Sequence, residues 1–187
     1  MKNKRRAFWV AKTGIFIALL VVVQYFTRPM SQFVTGSAVN LVLAAAVLLG
    51  GFSSGTAVAV VSPLFAFLLG IPQFIQLVPF IMAGNFLWVS VWYLLDGKQP
   101  VTDGKRRYLR LSAATVLGAL VKAAALYLGI VKLAVPYLLP DLPVAQADAL
   151  SAMFSLPQLI TALIGGALAL LLVPMLQRAL RGRGGKA

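Results

Sequence analysis

The run LRLSAATVLGALVKAAALYLGIV, residues 109–131, decides how the chain is read. A spanning helix needs about 20 mostly apolar residues, and this stretch supplies that length with one cation, Lys122, in its interior. Outward from it the pattern repeats: apolar runs at about 8–26, 37–50, 56–69, 74–95 and 156–176 are separated by short polar segments rich in Gly, Pro, Lys and Arg. The 187 residues are 60% hydrophobic with a mean hydropathy of +0.91, well beyond what one soluble core requires. The expected fold is therefore an all-α membrane protein, one domain over residues 1–187 with six transmembrane helices.

Boundaries follow from the breakers. Thr27, Arg28 and Pro29 stop the first run; Gly50 to Gly55 predicts a tight turn after a second run that is short for a crossing. Ser62 and Pro63 sit inside the third run, where a kink is expected, and Gly70, Ile71 and Pro72 end it. Asp96 to Arg110 reads as a polar, basic loop, and Lys132 to Ser155 as a longer connection carrying Pro136, Pro140 and Pro143. The basic start, Met1 to Arg6, has a signal-like charge pattern, but no small-residue cleavage site closes the following run, so it reads as a retained first helix.

Charge gives the orientation. Seventeen Lys and Arg face four Asp and no Glu, a net +13. In a soluble chain that would point to nucleic acid, but here the cations cluster between apolar runs, as charges that orient a membrane protein do. With the first residues inside, Lys2, Lys4, Arg5, Arg6 and Lys12 share a side with Lys98, Lys105, Arg106, Arg107 and Arg110 and with Arg178, Arg181, Arg183 and Lys186. Only Arg28 and Lys132 fall outside. Six spans with both termini cytoplasmic in the plasma membrane, and no nucleic-acid partner, is the economical expectation.

Several chemistries are disfavoured. There is no Cys, His or Glu, and the four Asp fall in pairs on connections, Asp96 with Asp103 and Asp141 with Asp148, so neither a metal site nor an acid–base pair is expected inside the bundle. No GKS or GKT follows the glycines, which leaves no Walker-type loop for ATP. No cofactor is expected.

Lys122 is the most informative residue. It lies about nine residues, or roughly 14 Å of helix rise, from the outer end of its predicted span, where an ionised lysine costs on the order of 3 kcal/mol. Three outcomes are open: it snorkels to an interface, it is carried neutral, or a bound anion is its counterion. Asn85, and Gln158 with Thr161, fall at depths that reach it, and Asn85, Trp88 and Trp92 share a helix face. These groups either bind a small molecule or fasten helices to one another. Asn40, Gln24, Gln76 and Tyr127 are weaker candidates of the same kind, and Arg28 either attracts anions or meets headgroups. Small residues recur at contact spacing as Gly14 with Ala18, Gly51 with Gly55, and Gly118, Lys122, Ala125 and Gly129.

Six short helices, the basic start leading into Gly14-Ile15-Phe16-Ile17-Ala18, the run Gly36-Ser37-Ala38-Val39-Asn40 followed by Gly50-Gly51, and Gly55 opening a helix with Ser62-Pro63 together resemble an S component. S components are the substrate-binding membrane subunits of energy-coupling factor (ECF) vitamin transporters. The resemblance covers nearly the whole chain. It implies a receptor that captures a vitamin-like small molecule from outside and docks on a transmembrane coupling subunit driven by two ATP-binding subunits, without hydrolysing ATP itself. It also implies a docking face on the first helix, which Gly14 and Ala18 match except that an Ala is usual in the first place, and a ligand site in the outer half, compatible with Lys122, Asn85 and Gln158. The expected cargo is anionic, with Lys122 pairing it and Asn85, Gln158, Thr161, Asn40 and Trp88 around it. Two other classes stay open: a structural or regulatory membrane subunit with no ligand, and a stand-alone permease.

Overall fold

A computed structural model describes residues 2–71, 73–98 and 104–184, with side chains described over 6–71, 73–98 and 104–179. Pro72, Asp103 and Lys186, and the side chains of Lys2, Lys4, Arg5, Arg181 and Arg183, lie outside the described residues.

The chain is a helical bundle: α1 (Lys2–Thr27), α2 (Gln32–Gly50), α3 (Phe52–Leu68), α4 (Val78–Trp92), α5 (Lys105–Leu126), α6 (Val144–Met153) and α7 (Leu156–Gly184). One 3-10 turn, Ile75–Leu77, leads into α4, and π-helical segments extend α4 through Tyr93–Gly97 and α5 through Tyr127–Leu138. Among the described residues five segments are long and apolar enough to cross a membrane, and α3, at 17 residues, is a shorter apolar helix.

Four expectations change. The second run begins at Gln32 instead of Ser37 and so reaches 19 residues. The turn after it shrinks to Gly51, whose φ of 87° a side chain would resist, and α3 starts at once with Phe52. Lys132 to Ser155 is mostly helix: Pro136 sits within the π segment, where N–H groups reach five residues back, and the helices break between Leu138 and Val144, with Pro140 and Pro143, and again at Phe154 and Ser155. Finally Asp96 is no loop residue. The π turn at the end of α4 turns it inward, 5% exposed, onto Arg107 (3.3 Å) and Arg110 (3.0 Å) at the start of α5.

In lipid the hydrophobic effect does not hold helix to helix, so close approach must. α7 lies against α2 and α5, and α4 against α3 and α5. A Cβ on Gly165 would stand 2.5 Å from the Ser37 carbonyl oxygen and 2.6 Å from the Asn40 Cβ, so only glycine allows this approach of α7 to α2. Gly118 admits the ring of Trp88, which with Trp92 is fully buried, centroids 5.6 Å apart. Large apolar side chains on the outer faces, among them Ile15, Leu120 and Leu171, are exposed, as residues facing lipid are.

The two ends differ. At the Asp96 end, Arg107 also donates to the Gln177 side chain, whose amide donates to Leu48 O (3.1 Å), tying α2, α4, α5 and α7. Trp9 and Lys12 of α1 donate to Ser53 Oγ and Leu49 O, both at 2.9 Å. The Arg28 end holds the cavity.

Candidate functional site

Lys122 is 4% exposed, and its ammonium donates to Asn40 Oδ1 at 2.6 Å and Asn85 Oδ1 at 2.7 Å. Each partner comes from a different helix, α2 and α4, so the lysine of α5 joins three elements at one depth. Asn40 and Asn85 lie eight and ten residues in from Gln32 and Ile75, roughly 12–15 Å of rise below that end of the bundle. Lys122 itself stands near the middle of the 34-residue helix Lys105–Leu138, so its helix extends farther past it than the nine residues expected.

With Lys122 charged, the way both amides point is fixed. An ammonium only donates, so it takes the carbonyl oxygens and leaves each Nδ2 as a donor. Among the described residues neither Nδ2 has a hydrogen-bond partner, and the ammonium retains a third N–H. The result is a cluster of free donors around one positive charge, with no carboxylate among them. Such a cluster suits an anion or a strong acceptor.

These three residues line a cavity of about 280 Å³, with Gln24 of α1, Ser62 of α3 and Gln158 of α7 on its walls. Among the described residues no acidic one lines it. Arg28 and Met153, both exposed, line this cavity and a second hollow of about 440 Å³ beside α6 and so stand at its mouth, with the buried Phe154 between the two. Gln32 and Gln158 donate to the same carbonyl, Met153 O, at 2.9 and 3.3 Å, pinning the joint between α6 and α7 over the start of α2.

Of the residues singled out by sequence, the structure brings Lys122, Asn85, Asn40 and Gln158 to one cavity. Trp88 and Thr161 do not line it. Trp88 Nε1 donates to Asn40 O at 3.1 Å, and so holds the asparagine from behind. Thr161, fully buried, donates to Gln158 O at 3.1 Å and abuts Gly36. Gln76 is exposed and Tyr127 is 37% exposed, both away from the cavity. Arg28 sits against Gly70 and lines the cavity. Ser62 and Gln32 are lining residues that sequence reading passed over; a serine beside a helix-interior proline was the one signal for the first.

Gly14 and Ala18 are exposed on α1, and a Cβ on Gly14 would meet nothing within 4 Å. Among the described residues no group of three His, Cys, Asp or Glu side chains is placed to hold a metal ion. A family model described as "ECF transporter, substrate-specific component" matches residues 9–177. No curated protein and no solved structure matches the chain.

Proposed function

From the premise that the chain belongs to the family of ECF transporter substrate-specific components, we propose that it captures a small anionic nutrient in the Lys122 cavity and delivers it as part of an ATP-driven importer. It is a multi-pass membrane protein that catalyses no reaction. ATP hydrolysis falls to partner subunits, and a transmembrane coupling subunit is the docking partner.

The observation that carries the substrate reading is the donor cluster of Lys122, Asn40 and Asn85. A bundle fastened only for its own sake would end a buried lysine on a carboxylate or leave it out. This one surrounds the cation with amide oxygens and then faces the remaining N–H groups into a hollow. A carboxylate or phosphate completes that arrangement, and a cationic ligand is repelled by it. The Arg28 end is the extracellular entrance, and α3 is the sixth crossing. The exposed stripe with Gly14 and Ala18 is the face offered to the coupling subunit, since small residues let another helix approach closely.

Lys122→Ala tests the reading. Hydrogen bonds to charged groups contribute about 1.5–3 kcal/mol, so the affinity for small organic anions, measured by thermal stabilisation of the purified protein in detergent, falls roughly ten- to hundred-fold. The melting temperature without ligand moves little, because removing a buried cation offsets the two amide oxygens it leaves behind. Equal affinity in both proteins removes Lys122 from the site. Uptake by the protein alone in liposomes, without ATPase partners, would instead make it a permease.

A further inference from the structure

Two side chains on the cavity wall carry polar atoms that no protein atom satisfies. Gln24 is 6% exposed and its Oε1 has no hydrogen-bond partner; Ser62 is 1% exposed and its Oγ has none. Both line the same cavity as Lys122. Leaving a buried acceptor or hydroxyl unpaired costs about 1–3 kcal/mol, and two of them lining one cavity mark where a ligand's polar edge replaces the missing partners. The glutamines at the mouth are different. Gln32 and Gln158 already donate to Met153 O, so their amides are engaged.

The wall's chemistry limits what it reads. The unpartnered atom of Gln24 is an acceptor, which an anion cannot satisfy, so the group it meets is a neutral one that donates. A primary amide sets an acceptor beside a donor, and the hydroxyl takes either part. The complementary edge sets an N–H beside a C=O, as a lactam, a cyclic urea or a carboxamide does. About 280 Å³ equals the liquid volume of roughly nine waters at ~30 Å³ each, enough for one small ring on a short chain.

Resting on the reading of the Lys122 floor as an anion site, we propose that Gln24 and Ser62 form a second recognition point for an amide-type edge. The cargo is then a small acid that also carries a neutral lactam, cyclic urea or carboxamide: its acid end lies on Lys122, Asn40 and Asn85, and its amide end on α1 and α3.

Calorimetric titration of the full-length protein in detergent tests this with four probes: a short straight-chain carboxylic acid bearing a five-membered lactam, its N-methyl lactam, the same acid bearing cyclopentane, and the methyl ester of the lactam acid. The lactam acid is expected to bind about tenfold tighter than the N-methyl and cyclopentyl acids, and Gln24→Leu brings all three acids within about twofold of one another. Ser62→Ala, a small change on a buried face, gives the same trend should Gln24→Leu fail to fold. If the three acids bind the unaltered protein equally, the Gln24–Ser62 wall reads nothing, while the Lys122 floor stands. If the ester binds as tightly as the acid, the floor reading fails, and the gap between the lactam and cyclopentyl probes still reports on the wall. Absence of binding by all four overturns the assigned cargo class.

Discussion

Lys122 acts first on its neighbours: by taking Oδ1 of Asn40 and of Asn85 it converts two ambiguous amides into donors facing the cavity. Asn40→Asp reverses that logic without changing shape. The new carboxylate, about 2.6 Å from the ammonium in the geometry of the amide it replaces, supplies the counterion internally and repels an anionic ligand. Affinity for small acids is expected to fall at least about tenfold while the unliganded protein melts no lower, and calorimetry with parallel thermal unfolding checks both. Retained affinity would mean that the ligand presents no negative charge to the floor. Lys122 and Asn85 were legible in sequence because an intramembrane cation, and an amide sharing a face with two tryptophans, are conspicuous by type and depth. Asn40 ranked below them, because its pairing with Lys122 spans 82 residues and depends on helix register that one sequence does not encode. Trp88 looked like a ligand platform for the same reason: its indole N–H is spent on Asn40 O, which only the tertiary fold reveals.

At the scale of elements, the apolar runs located the helices, and the errors gathered where polar residues continue a helix. Gln32 to Gly36 extends α2 because its polar groups face a cavity, and Asp96 stays within the α4 extension because it meets Arg107 and Arg110. A charge read in isolation predicts a loop; a charge with a buried partner does not. Removing one partner of a buried ion pair costs about 3–5 kcal/mol, since the other charge is left uncompensated. At about 2–4 °C per kcal/mol for a chain of this size, Asp96→Ala is expected to lower the melting temperature by roughly 6–20 °C. Arg107→Met in the Asp96→Ala background restores much of it, because it removes the stranded guanidinium. Unchanged melting in Asp96→Ala would show that water reaches this end and that the ion pairs contribute little. Ligand affinity is a separate readout, since the network ties α2, α4, α5 and α7 at the end away from the cavity.

For the molecule as a whole, the contrast between a tied end and a cavity-bearing end matters only once each is assigned to a side of the membrane. The orientation we propose rests on charge counting: the cations of the α4–α5 connection lie at the Asp96 end, together with Lys12 and Arg6 of α1, and an excess of Lys and Arg marks cytoplasmic flanks. The same proposal has α3 cross, although its 17 residues, about 26 Å of rise, fall just short of a hydrocarbon core of about 30 Å. A chain without cysteine lets this be measured directly with single introduced thiols. Ala145, on α6, and Gln73, after α3, are exposed near the cavity mouth, whereas Arg106, on α5, and Ser53, at the start of α3, are exposed at the other end. In intact cells a membrane-impermeant maleimide is expected to modify Ala145→Cys and Gln73→Cys, and to modify Arg106→Cys and Ser53→Cys only after permeabilisation. Should Ser53→Cys and Gln73→Cys react from the same side, α3 enters and leaves by one face and the bundle has five crossings. Should all four reverse, the cavity opens to the cytoplasm, and capture of a nutrient from outside is no longer possible through that mouth.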